Sequence, residues 1–151
     1  MFWLLIAFLV AIFFYDLFKM EIPDFLTIPA IGVALLFQLF SRTLSWPFIL
    51  DGAIVIGGFF LLQWVISHGT WIGGGDIRLG VLMGLILGLW QGLLALFLAY
   101  ILGALLSVIL LVMKRATRRS HIPLGPFLTA STIVMMFVGD RVVDWYLRLL
   151  V

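Results

Sequence analysis

Polar residues divide this sequence of 151 residues into six long apolar runs. The runs are too continuous for the alternating pattern of barrel strands, and only helices or closed barrels satisfy every backbone hydrogen bond in lipid. We therefore predict an all-α integral membrane protein, a six-helix bundle in a single domain of residues 1–151. The predicted helices cover residues 2–18, 25–40, 48–67, 77–90, 92–113 and 123–139. In the remaining segment, 140–151, charged residues are mixed with apolar ones, which predicts a tail at the membrane interface.

Composition supports this class and excludes several others. Hydrophobic residues make up 65% of the chain and charged residues 11%, whereas a soluble domain is roughly half apolar and about a quarter charged. A soluble enzyme, a disordered protein and a nucleic-acid binder are therefore excluded. The chain has no cysteine, which excludes a thiolate nucleophile and a cysteine-ligated metal. His68 and His121 stand alone in the sequence, so we predict neither a metal nor a cofactor.

The basic residues predict the orientation, because cytoplasmic loops of membrane proteins carry an excess of lysine and arginine. If successive loops alternate sides, one side receives Lys19, Arg78, Lys114, Arg115, Arg118 and Arg119. The other side receives Arg42, Arg141 and Arg148. The first set is therefore predicted to face the cytoplasm, with both termini outside.

A row of glycines predicts close helix packing in the second half of the chain. Gly80, Gly84, Gly88 and Gly92 recur every four residues, which places them on one helix face. Rows of small residues let membrane helices approach closely. The connection around Gln91 is very short, so the fourth and fifth predicted helices are expected to form an antiparallel hairpin.

Two aspartates are predicted to lie inside the membrane. Asp16 follows 15 apolar residues, which span about 22 Å as a helix, less than the roughly 30 Å of the hydrocarbon core. Asp76 opens the fourth helix, whose apolar stretch has a similar length, so both carboxylates reach one depth. Such a pair can share a proton, with one group acting as a base and the other as an acid. The simpler interpretation, that each acid ends a helix near the interface, remains open on this evidence alone.

The helix dipoles suggest which aspartate holds the shared proton. Asp76 lies at the N-terminal end of its predicted helix, where the dipole favours an anion, and Asp16 lies near a C-terminal end, where it does not. We therefore predict a protonated Asp16 and an ionised Asp76 in the free protein.

Three stretches of the sequence resemble the prepilin peptidases, membrane aspartyl proteases of the GxGD type. Residues 16–29 read DLFKMEIPDFLTIP, residues 73–79 read GGGDIRL, and residues 122–128 read IPLGPFL. The first stretch is similar to the family's segment around its first aspartate, and residues 73–79 are similar to its G-x-G-D box. The third is similar to the family's I-P-F-G-P-F-L stretch, with Leu124 in place of phenylalanine.

The resemblance implies that Asp16 and Asp76 form a catalytic pair in a multi-pass protein of the inner (plasma) membrane. The expected substrates are type IV pilin-like precursors, cut on the cytoplasmic side, and the other expected partners are membrane lipids. The chain lacks the paired cysteine motifs of many family members, so it resembles the short forms with peptidase activity alone, and N-methylation is not expected. Residues expected to bind substrate are Glu21, Pro23, Asp24, Gly73, Gly74, Gly75 and Gly80.

The residues themselves give different reasons for these expectations. Gly73, Gly74 and Gly75 provide flexible backbone that an extended substrate could approach. Gly80 lies one turn from Asp76, and we predict that Gly80→Leu abolishes cleavage while Gly32→Leu is milder. Glu21 and Asp24 are either solvated loop acids or binding sites for basic residues before the cleavage site.

Two other functions are compatible with parts of the sequence. A presenilin-type or signal-peptide peptidase shares only the G-x-G-D box with this chain. A small proton- or cation-coupled transporter, or an assembly scaffold, could use the two acids as an ion site. A transporter should carry acids along a path across the membrane, and the sequence shows no such series.

Overall fold

The computed structural model describes residues 1–41, 44–114 and 123–150, with the side chains of all of these except residues 146, 147, 149 and 150. The described residues form five helical elements, and each contains a stretch long and apolar enough to cross a membrane. The elements are α1 (Phe2–Lys19), α2 (Asp24–Ser41), α3 (Trp46–Ile66), α4 (Gly74–Val112) and α5 (Gly125–Leu150). The prediction of an all-α integral membrane protein is thereby confirmed. The prediction of six separate spanning helices is not confirmed, because residues 74–112 form one element.

Element α4 is interrupted at Gly88, whose φ of 70° and ψ of −166° are not helical. We call residues 74–87 the first limb of α4 and residues 89–112 the second limb. The limbs lie side by side, since a Cβ added at Gly92 would be 4.0 Å from the Cα of Gly84, whereas eight residues of continuous helix span about 12 Å. The chain therefore folds back as the hairpin prediction requires, but at Gly88 rather than at Gln91. Only glycine adopts this φ without strain.

The glycine row packs mainly against α3. A Cβ at Gly84 would overlap the backbone of Gly52 and Ala53, and a Cβ at Gly80 would lie 2.6 Å from the ring of Phe60. The first limb and α3 run antiparallel, with their backbones too close for side chains to intervene. The small residues thus serve helix packing, as predicted, with α3 as the partner helix of the first limb.

A buried glutamine of α2 caps the interrupted end of the first limb. A helix that ends leaves its last carbonyls without intrahelical partners, and in lipid no water replaces them. Gln38 is 2% exposed, and its Nε2 donates to the carbonyl oxygens of Leu85 at 2.9 Å and Ile86 at 3.3 Å. An unsatisfied buried acceptor costs about 1–3 kcal/mol, so this side chain offsets part of the cost of the break.

The last helix is longer than predicted. Residues 140–150 continue α5 and do not form a separate tail, because nothing at Gly139 or Asp140 breaks the helix. Gly139 lies against Gln91, whose Nε2 donates to Asp140 Oδ1 at 2.6 Å. These contacts tie α5 to the hairpin at the bundle end opposite Asp16 and Asp76.

The surface agrees with a lipid environment. Large apolar side chains are exposed on every element, among them Phe18, Phe40, Ile54 and Val112. The predicted orientation stays a prediction, and several residues on which it depends lie outside the described residues. These are Arg42, Arg115, Arg118 and Arg119. His121 and Ile122, which the sequence analysis also names, lie outside the described residues as well.

Candidate active site

Asp16 lies in the last turns of α1 and contacts the start of α5. The left-handed conformation of Met20, with φ 55°, ends α1 three residues later and turns the chain toward α2. Asp16 is only 4% exposed. The backbone N–H of Gly125 donates to its carboxylate, and a Cβ at Gly125 would overlap Asp16 Oδ2. Gly125 is the first residue of α5, so the absence of a side chain there allows the helix to begin directly against the carboxylate.

Asp76 is held at the beginning of α4. Gly73 is the N-cap residue of this helix, and its backbone N–H donates to Asp76 Oδ2 at 3.0 Å. Gly75 lies against Ile22, since a Cβ there would be 2.6 Å from the Ile22 Cβ. Nothing lies within 4 Å of a Cβ at Gly74. Of the three glycines before Asp76, Gly75 is therefore required for close packing, while the space beside Gly74 is open.

Both aspartates line one cavity of about 920 Å³ at this end of the bundle. Glu21, Gly73, Gly74 and Gly75 line it as well. Asp16 is near enough to act electrostatically on Asp76. The apolar runs predict only that the two carboxylates lie at the same depth in the membrane. The fold places both of them in the lining of the same cavity.

The other residues expected to bind substrate lie outside the lining of this cavity. Asp24 is half-exposed and forms a salt bridge with Arg78. Pro23 is buried at the start of α2, where its carbonyl accepts the hydroxyl of Thr27. Gly80 is buried against Phe60. A larger residue at Gly80 would therefore displace Phe60 of α3, and it would affect the cavity only through that helix. Gly32 has open space around it and would tolerate a larger residue.

Comparison with known proteins places this chain in a family. A family model described as the type IV leader peptidase family matches residues 3–108, the part of the chain that carries both aspartates. The chain belongs to this family. No solved structure matches it significantly.

Curated relatives in the type IV leader peptidase family are longer than this chain. A prepilin leader peptidase/N-methyltransferase of Aeromonas hydrophila is 33% identical over 148 residues, which cover 92% of this chain and 49% of that protein. A protein of the same name from Legionella pneumophila is 30% identical over 147 residues, or 92% of this chain and 50% of its own length. The chain thus spans about half the length of the curated relatives that it matches.

Two polar residues of this family member were missed as parts of the site. Neither Gln63 of α3 nor Tyr100 of the second limb is among the site residues that the sequence predicts. They hydrogen-bond each other, with Gln63 Nε2 3.2 Å from Tyr100 Oη, and both line the cavity. A polar side chain within an apolar run was the available signal, but their meeting depends on the fold-back at Gly88.

Gly125 was missed for a similar reason. It lies beyond the region matched by the family model, within the third stretch on which the resemblance rests. The sequence does not show which carboxylate meets the start of α5. Within the described part of the chain, no three histidine or acidic side chains cluster as metal ligands.

The helix dipoles do not distinguish the two aspartates in this leader peptidase fold. Asp76 lies at the N-terminus of α4, as predicted, but Asp16 lies against the N-terminus of α5 and accepts a backbone N–H there. Each carboxylate therefore faces the positive end of a helix dipole. The prediction that Asp16 holds the proton has no support from the dipoles once α5 is in place.

Proposed function

We propose that this chain is an intramembrane aspartyl endopeptidase that removes the leader peptide of type IV pilin-like precursors. The observation that carries the proposal is the shared cavity of Asp16 and Asp76, contributed by separate elements. The curated relatives are named for prepilin leader peptidase activity, which supplies the substrate class. A transporter is not favoured, because in the described residues the other acids near this site are exposed and no buried acid continues across the bundle.

The proposed reaction uses the two carboxyl groups in opposite states. The ionised carboxylate takes a proton from a water molecule, whose oxygen attacks the peptide carbonyl carbon. The protonated carboxyl donates a hydrogen bond to the carbonyl oxygen as negative charge develops there. The carboxyl group that took the proton from water then gives it to the leaving nitrogen as the C–N bond breaks, leaving a new carboxyl end on the leader and a free amine on the mature protein.

The depth of the site supports cleavage within the membrane. Gly103 of the second limb lies against Phe127 of α5, close to the level of Gly125 and Asp16. From Gly103 the second limb continues for nine residues to Val112, which is about 14 Å of helix. This extension is almost entirely apolar, so we place the aspartates below the membrane surface.

The same proposal includes the topology. If each limb of α4 crosses the membrane separately, the chain crosses six times and both termini lie outside. The aspartate end of the bundle then faces the cytoplasm with Lys19 and Arg78, in accord with the excess of basic residues in cytoplasmic loops. Pilin-like precursors would present the leader at this face, with the hydrophobic segment in the membrane.

Co-expression with a type IV prepilin, in a bacterial strain without its own prepilin peptidase, tests the proposal. We expect the precursor to lose its leader, and mass spectrometry of the product to show a single new N-terminus just before the hydrophobic segment. An intact precursor beside well-expressed, membrane-inserted protein would contradict the proposed activity.

A further inference from the structure

The side chains of Gln63 and Tyr100 form a partly exposed polar pair that lines the aspartate cavity. Gln63 belongs to α3 and Tyr100 to the second limb of α4, 37 residues apart in sequence. The ring of Tyr100 packs edge-on against Phe59, with centroids 5.9 Å apart. The ring of Tyr100 thus contacts an aromatic side chain of α3, and both Tyr100 and Gln63 line the cavity that contains the aspartates.

The pair has hydrogen-bonding capacity that its mutual contact does not use. Gln63 Nε2 lies 3.2 Å from the tyrosine oxygen, and that oxygen lies 3.4 Å from Gln63 Oε1. These contacts are long, and a carboxamide has two N–H donors and an acceptor oxygen with two lone pairs. At least one N–H of Gln63 and a lone pair of each oxygen remain for another partner.

A peptide substrate needs such partners at this position. To be cut it must be extended, which frees the N–H and C=O groups that a helix would pair internally. An unpaired peptide group away from water costs several kcal/mol. The glycine backbone before Asp76 lines one part of the cavity, and Gln63 and Tyr100 line another. Both aspartates line the same cavity, so a group bound by the pair would lie in the space that holds them.

We propose that Gln63 and Tyr100 bind a main-chain peptide group of the substrate beside the bond that is cut. The inference rests on the proposed peptidase function and adds two substrate-binding residues to it. The pair recognises the backbone and not a side chain, so it acts on every substrate sequence. It fixes the register of the extended segment between the two carboxylates.

The test combines a tyrosine variant with changes in the substrate backbone. Purified protein in lipid vesicles cleaves a synthetic peptide that spans the leader junction, and a series of peptides replaces one amide at a time by an ester, leaving the cleaved bond intact. Each ester removes an N–H donor and weakens the carbonyl acceptor. Tyr100→Phe keeps the ring against Phe59 and removes only the hydroxyl, and Gln63→Leu removes the amide.

We expect each variant to lower kcat/KM about 3- to 10-fold, the effect of one net hydrogen bond, mainly through a higher KM. At one position beside the cleaved bond, the ester should impair cleavage by the wild type but not by Gln63→Leu, since that variant has already lost the contact. Tyr15→Phe is the matched control, because Tyr15 packs against Phe25 of α2 and does not line the cavity. It should behave as wild type.

Equal ester effects in wild type and variants at every position would overturn the proposal, as would an unchanged KM in both variants. If the wild type cleaves no peptide, the peptidase function fails, and the same series is then measured as binding affinity. An ester effect on affinity that disappears in Gln63→Leu would still support the binding role, and its absence would reject it. Thermal unfolding of each variant shows whether it is folded. If Tyr100→Phe is misfolded, the ester series with Gln63→Leu alone decides whether the proposal stands.

Discussion

Asp16→Asn and Asp76→Asn are each expected to abolish leader removal while leaving the fold intact. Asparagine keeps the shape of the side chain and still accepts the backbone N–H of Gly125 or of Gly73, but it neither takes nor gives a proton. Losing one general acid or base costs about 10²–10⁴-fold in rate. Because the two groups act as a unit, the double variant should be little slower than either single one. Single-turnover cleavage by purified protein measures all three rates.

The control for the aspartates is Asp51→Asn. Asp51 is an exposed acid of α3 that does not line the cavity, and its loss should leave the rate within about twofold, as is usual for surface changes of about 0.5 kcal/mol or less. If Asp16→Asn or Asp76→Asn cleaves as fast as Asp51→Asn, that aspartate is not part of the catalytic pair.

Gly125→Ala is the second change for which we expect a large effect. The new methyl group would overlap Asp16 Oδ2 and lie 3.3 Å from Ile22 Cδ1. The carboxylate would have to turn away from the N–H of Gly125, and misplacing a catalytic group by about 1 Å can cost about 10²-fold in rate. We expect a loss of that size in kcat. Gly58→Ala is the control, because a Cβ at Gly58 meets nothing within 4 Å.

A double-mutant cycle separates this positioning effect from general damage to the fold. The steric conflict in Gly125→Ala involves the Asp16 carboxylate, so Asp16→Ala should relieve it. We expect Gly125→Ala to lower the melting temperature of the wild type but to have little effect on that of Asp16→Ala. An equal loss in both backgrounds would show that the glycine is needed for some other contact.

Much of the helical framework could be predicted because apolar runs in a membrane protein leave few alternatives. The positions of α1, α2 and α3 follow from these runs, with ends displaced by one or two residues. The hairpin connection was placed three residues late, because Gln91 is the polar interruption in this apolar stretch. The chain breaks at Gly88, where a buried glutamine of another helix receives the free carbonyls. That partner is 47 residues away from Leu85 and has no signature in the local pattern.

The site shows the same division between local and long-range information. Asp16 and Asp76 could be singled out because an acid within an apolar run is costly and invites a functional explanation. The residues around them could not be assigned, because the contacts of Asp16 with Gly125 and of Gln63 with Tyr100 join distant parts of the chain. Asp24 shows the same limit. It forms a salt bridge with Arg78, 54 residues away, and the local sequence does not identify that partner.

The most direct test of the central claim is the binding of a peptide that imitates the tetrahedral intermediate. A leader-junction peptide with a hydroxyethylene group in place of the cleaved amide puts a hydroxyl between the two carboxyl groups. Analogues of a transition state bind at least about 10²-fold tighter than the substrate, so we expect this preference in the wild type and in Asp51→Asn. It should vanish in both Asp16→Asn and Asp76→Asn, whereas a preference that survives in either variant would contradict joint action of the two aspartates on the peptide carbonyl.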